Sequence, residues 1–256
     1  MITMNHHLVR AGVIAILLAA VGGAQAFLDE VIVLKQELRA WETTHAMDFG
    51  DIVEQLDDLS GPVFGDVADG DWYHPYVSTL AEWGIVSGYR DGDGRPTGEF
   101  RPGNPVTVIE TLKMAMEAAQ VSTMLCTNAP LHPEARGHWG ARYVACGEKM
   151  SVRLLKAGLA TGLNRPAKRA EVLSIVHDVF GEAVPPVYSN FTDTAGHPYE
   201  ADIAYAALLG IVGGDTDKAG NPVGAFRPDD PINRAETAKV MYAKVRDRVR
   251  QEIVAK

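Results

Sequence analysis

Positive charge is scarce in this chain. It carries 24 Lys and Arg against 33 Asp and Glu, a formal net charge of −9. That argues against a nucleic-acid binder, which would show a basic stripe. Cysteine is scarcer still, with only Cys126 and Cys146. A structural zinc site needs a second pair of ligands at suitable spacing, and there is none. The sequence also lacks the short motifs of common enzymes: no Gly-x-Ser-x-Gly, no His-Glu-x-x-His and no phosphate-binding loop. The eight histidines are scattered. His74, His132, His138 and His197 read as residues that cap or pack. No catalytic group, cofactor motif or metal ligand set is expected.

Long apolar runs are missing except near the start. Ala11–Val21 is apolar, follows the weakly positive His6, His7 and Arg10, and precedes the small-x-small site Ala24-Gln25-Ala26. Residues 1–26 therefore read as a secretion signal. The run is too short to span a bilayer comfortably, so no transmembrane helix is expected after cleavage. The alternative is a short anchor that stays attached. In an exported chain an isolated cysteine pair reads as a disulfide, Cys126–Cys146, against the alternative of two unrelated buried thiols. Residues 27–60 place Val31, Leu34, Leu38 and Trp41, then Ile52, Leu56 and Leu59, at helical spacing. They are expected to form a helical spacer or short coiled coil, closed by Ser60-Gly61-Pro62.

What the chain has in quantity is glycine, proline and aspartate, and these repeat. Gly84–Glu110 aligns without a gap on Gly210–Glu236, at an offset of 126 residues. Gly84, Gly88, Asp91, Pro96, Gly98, Phe100, Arg101 and Pro102 fall on Gly210, Gly214, Asp217, Pro222, Gly224, Phe226, Arg227 and Pro228. Matched Gly and Pro positions imply matched backbone geometry. Upstream, Phe64-Gly65-Asp66 answers to Phe191-Thr192-Asp193. Tyr199 then takes the place of Trp72, and the helix before Gly210 is expected to be one residue shorter. A degenerate middle copy follows the same grammar. His138-Trp139 and Tyr143 echo Trp72 and Tyr76, and Lys168-Arg169-Ala170-Glu171 echoes Asn233-Arg234-Ala235-Glu236. Its central loop is shorter by six residues. Three copies follow, over 61–123, 124–187 and 188–256.

Thr107 with Glu110, and Asn233 with Glu236, are capping boxes at the start of each copy's second helix. Lys168 cannot accept the cap bond, so the middle helix is expected to begin earlier, near Asn164. Arg169 and Arg234 sit in the first helical turn, where a cation opposes the helix dipole. They are either anion-site residues or partners of a nearby aspartate. Val108 holds this position in the first copy. Asp91, Asp93, Asp215 and Asp217 resemble fragments of calcium loops but lack the bidentate glutamate, and they suit turns equally well. The basic residues of the last helix, Lys244 and Arg248 among them, are expected to complement its negative end.

As a set, these motifs resemble the S-layer homology domain. The resemblance rests on Phe64-x-Asp66-Val67, Trp72-x3-Tyr76-Val77, Gly84-Ile85-Val86-x-Gly88, Phe100-x-Pro102 and Asn233-Arg234-Ala235-Glu236. It implies a mainly α fold: three helix–loop–helix repeats in a pseudo-threefold prism, preceded by a short N-terminal helical segment. It implies a non-catalytic protein of the cell envelope that binds cell-wall polysaccharide, often pyruvylated, in grooves between repeats. Ligand contacts would fall on Arg169 and Arg234, framed by Asp66, Asp193, Trp72, Trp139, Gly88 and Gly214. The alternative is a structural envelope tether that self-associates through its N-terminal helix.

Overall fold

The computed structural model describes residues 64–156 and 162–254. The secretion signal and the helical seam at 27–60 lie outside the described residues. The fold is mainly α. Six α-helices are present among the described residues: α1 His74–Glu82, α2 Val108–Ala118, α3 Ala141–Lys149, α4 Arg169–Val179, α5 Glu200–Leu208 and α6 Arg234–Val254. Short 3-10 turns occupy Thr123–Leu125, Pro133–Ala135 and Arg153–Leu155. There is no β-ladder among the described residues, only isolated bridges. Among the described residues no helix is long and apolar enough to cross a membrane.

The chain divides into two compact units, Met1–Pro102 and Gly103–Lys256. The division falls inside the first sequence repeat, between its central loop and its second helix. In the first unit α1 buries Val77, Leu80 and Ala81. It ends at Trp83, and Gly84 turns the chain with a φ of 70°. In the second unit α2 packs against α3, α4 and α6, and α4 packs against α5. Leu112, Met116, Leu173, Val176, Ala238 and Met241 are all buried there.

The two well-matched central loops fold alike. Each opening aspartate ties down the far end of its loop. Asp66 accepts the amides of Phe100 (2.8 Å) and Arg101 (2.7 Å). Asp193 accepts those of Phe226 (2.9 Å) and Arg227 (2.7 Å). Arg101 and Arg227 share the same left-handed backbone, at φ 55° and 57°. Two amide bonds to a carboxylate help to hold that disfavoured conformation. Phe64 then packs on Phe100, and Phe191 on Phe226, each pair with ring centroids 5.4 Å apart.

The structure corrects four expectations. First, α4 begins at Arg169, not near Asn164. Lys168 is extended, at φ −82° and ψ 151°, and Glu171 supplies half of a capping box by accepting its amide at 2.9 Å. Asn164 faces His138 Nε2 instead, at 3.0 Å. Second, the helix before Gly210 is not shorter, since α5 and α1 each have nine residues. The deletion lies in the turn before α5. Third, Pro198 therefore holds the place of Trp72, two positions before the helix, and Tyr199 answers to Tyr73. Fourth, Lys244 is not spent on the helix dipole. It is almost fully buried, bonds to Glu182 and to Asp247, and lies over the Phe180 ring. The α6 helix runs on past it by ten residues to Val254, so its position is mid-helix rather than terminal.

Candidate functional site

Three short segments meet at the centre of the second unit. The amide of Val106 donates to the carbonyl of Ile232 (3.0 Å), Ile232 to Ala167 (3.2 Å), and Ala167 back to Val106 (2.8 Å). A second cycle runs beside it. Val108 donates to Arg165 (3.1 Å), Arg169 to Asp230 (2.9 Å) and Arg234 to Asn104 (2.9 Å). Each cycle closes after three steps, one from each copy. Satisfying these amides mutually lets Val106, Ala167 and Ile232 be buried without unpaired backbone groups. The middle copy, degenerate in sequence, occupies its full place in both cycles.

This centre carries a collar of arginine–glutamate pairs. Each glutamate uses Oε2 to accept its own cap amide: Glu110 from Thr107 (2.8 Å), Glu171 from Lys168 (2.9 Å), Glu236 from Asn233 (3.1 Å). Each turns Oε1 to an arginine. Arg234 Nη1 reaches Glu110 at 3.2 Å, and Arg169 Nη1 reaches Glu236 at 3.4 Å. By the same cycle residue 108 would serve Glu171, but it is valine. Arg165 serves instead, with Nη1 and Nη2 on the two carboxylate oxygens at 2.8 and 2.6 Å. The arginines expected to meet an anion thus meet one built into the neighbouring copy, a glutamate rather than an aspartate. The side chains of Arg234 and Arg169 are 7% and 12% exposed. Arg169 also donates Nε to the carbonyl of Phe226 (2.8 Å) and lies over that ring. Arg165 was invisible as a site residue in the sequence. The signal that could have found it was the valine at 108, which left one glutamate of three without a partner.

The remaining candidate residues fall into two groups. Asp66, Asp193, Gly88 and Gly214 shape the loops. A Cβ at Gly88 would stand 2.9 Å from the Phe64 ring, and one at Gly214 would stand 2.4 Å from the Phe191 ring. These glycines let the loop close on the phenylalanine. Trp72 and Trp139 face solvent, 54% and 58% exposed. Trp72 meets Tyr73 edge-on and Tyr76 at a tilt, and Trp139 lies 6.3 Å from Tyr143. Tyr143 donates its hydroxyl to Glu117 at 2.7 Å, and burial together with that carboxylate pushes its pKa up. His138 and His197 each accept a turn amide through Nδ1, from Gly140 (3.0 Å) and Tyr199 (3.1 Å), as capping residues do.

The Asp-Gly loops are Asx turns. Asp91 Oδ1 accepts the amides of Asp93 (2.9 Å) and Arg95 (2.8 Å), and Asp217 Oδ1 accepts those of Ala219 (2.8 Å) and Asn221 (2.9 Å). No His, Cys, Asp and Glu cluster suited to a metal ion is present among the described residues. The Cys126–Cys146 disulfide is formed, with Cα atoms 5.3 Å apart.

The sequence model of the S-layer homology domain matches residues 63–92 and 190–238. These segments are similar to S-layer homology repeats. Both hold the opening aspartate and the glycine–phenylalanine contact, and the second also holds its whole tied loop, the Asn233–Glu236 cap and Arg234. No curated protein matches the chain. S-layer homology domains are anchoring modules of the cell wall and envelope.

Proposed function

We propose that this chain is a non-catalytic envelope-anchoring protein that holds an anionic secondary cell-wall polysaccharide, pyruvylated or otherwise acidic. The observation that carries the reading is the pair of half-exposed tryptophans at matched positions, two residues before α1 and two before α3. An exposed indole offers an apolar face to a sugar ring with little entropic cost, since it turns about only two bonds. Arg169 and Arg234 act as positioning residues, locking copy to copy through Glu236 and Glu110. Asp66 with Gly88, and Asp193 with Gly214, each fix the central loop of their own copy. In this reading the mature chain lies outside the cell, held to a wall polymer and crossing no membrane.

The test is co-sedimentation of the full chain with cell-wall fractions, before and after chemical removal of their acidic substituents. Binding that falls after removal, and falls again in a Trp72→Ala/Trp139→Ala variant, supports the reading. Absence of sedimentation with any fraction, or a double variant that sediments like the parent, overturns it.

A further inference from the structure

The two tryptophan platforms carry opposite charge. Around Trp72 the charged neighbours in sequence are Asp69 and Asp71, with His74, while Asp66 is tied to its loop amides. Asp69 is almost fully exposed, beside His74 at 3.2 Å. Around Trp139 they are Arg136, His138 and Arg142. Two linked turns present these residues: His138 donates its amide to Ala135 (3.1 Å), and Ala141 donates to His138 (3.1 Å). Arg136 and Arg142 are both exposed.

The acids of this region are otherwise engaged. Glu134 accepts the amide of Leu163 at 2.7 Å. Glu148 accepts those of Leu131 (2.8 Å) and His132 (2.7 Å). Glu117 takes the Tyr143 hydroxyl. Among the described residues no carboxylate pairs with Arg136 or Arg142. That sets them apart from Arg153, Arg165, Arg169, Arg227 and Arg234, each of which is bonded to an internal acid. Arg142 also stands in the first turn of α3, where a cation opposes the helix dipole, so helix stability does not account for it.

We propose that the middle copy is the acid-selecting site of this protein, taking a carboxylated pyranose with its ring face on Trp139 and its carboxylate on Arg136 and Arg142. The inference rests on the wall-polymer reading above and adds to it the copy and the residues that read the charge. A guanidinium with no internal acid to leave can close a bidentate bond to carboxylate at no exchange cost. Asp69 and Asp71 next to Trp72 in the chain disfavour the same group, so Trp72 faces an uncharged stretch of the polymer.

The probe is polygalacturonate, with its methyl ester as the same backbone lacking charge, titrated against the full chain. Expected are binding to polygalacturonate that weakens as salt rises, and affinity for the ester about tenfold lower, the equivalent of one charge-assisted contact. Arg136→Gln/Arg142→Gln should lose about tenfold on the acid and nothing on the ester. Arg90→Gln/Arg95→Gln removes the same charge from the first copy's exposed loop and should leave both affinities unchanged. Equal affinity for acid and ester, equal losses in the two double variants, or an unchanged Arg136/Arg142 variant overturns the proposal. A chain that sediments with wall fractions but ignores polygalacturonate also overturns it, while leaving the anchoring reading intact.

Discussion

Arg234 and Glu110 lie 124 positions apart in the chain and meet at 3.2 Å, tying the start of α6 to the start of α2. Arg169 and Glu236 repeat the relationship between α4 and α6. The third pair is rewired: Val108 cannot reach Glu171, and Arg165 does. Glu171 is 8% exposed on its side chain, so removing its partner strands a buried carboxylate. Arg165→Ala should therefore cost about 3 kcal/mol in urea unfolding. Placing the missing guanidinium where the other copies have it, as Val108→Arg in the Arg165→Ala background, should recover part of that loss. Val108→Arg alone should destabilise, because Glu171 is already taken. A double variant no more stable than Arg165→Ala would show that the collar is not a threefold device.

Gly214 combines a φ of 73° with a Cβ position 2.4 Å from the Phe191 ring and 2.9 Å from the Ala225 carbonyl. Gly220 has a similar φ, 84°, and open space around it. The pair separates backbone strain from steric conflict. Gly220→Ala should cost about 1 kcal/mol, the strain alone. Gly214→Ala should cost more than about 2 kcal/mol, because ring and carbonyl must both move. Thermal midpoints of the two variants decide the matter. Equal shifts would mean that the loop yields freely around Phe191.

Much of this was readable from residue spacing. Glycine, proline and aspartate repeat at a fixed offset because each answers a local backbone demand. Loops and caps in the first and third copies accordingly follow the sequence closely. The disulfide was readable too, from an isolated pair in a chain expected to be exported. What failed were quantities that depend on partners far along the chain. Arg169 and Arg234 announce a need for an anion, but nothing local says that Glu236 and Glu110 supply it. Lys168 looks like a missing cap, but the carboxylate of Glu171 and the backbone cycle suffice to start α4. Counting forward from Phe191 put Tyr199 in the place of Trp72, whereas the start of α5 shows that Pro198 is there.

The Cys126–Cys146 bridge closes a segment whose only helical turn before α3 is the short 3-10 turn Pro133–Ala135. Leu131 stands 81% exposed on it, and only small or polar side chains such as Ala135 and His132 are buried there, so apolar burial contributes little to holding it. A disulfide across a loop of this length is worth about 3 kcal/mol. Cys126→Ser/Cys146→Ser should lower stability by that order. It should also open the segment to trypsin after Arg136 while α2 and α4 stay protected. If the serine variant is cut no faster than the parent, packing and not the bridge orders the segment.

Asp202 makes the protein's acid sensitivity predictable. It is 1% exposed, and Arg153 donates to both its oxygens at 3.0 and 2.6 Å while His177 Nδ1 lies 2.9 Å away. Asp178 shares the same Arg153, through Nε at 2.8 Å. Burial pushes the Asp202 carboxyl up, but the bonds from His177 and Arg153 outweigh it, and the folded pKa ends below the ordinary 3.8. A carboxyl with a depressed folded pKa contributes stability that is fully present above its unfolded value. That stability is lost as pH falls through the folded one. The contribution is thus complete from neutral pH down to about 4 and disappears below it. Asp202→Asn should cost about 3 kcal/mol at pH 7, since Arg153 then keeps Asp178 but loses its second carboxylate. The gap between parent and variant, read from urea midpoints, should narrow steadily below pH 4. A gap that stays constant down to pH 2.5 would mean that Asp202 is held by shape and not by charge.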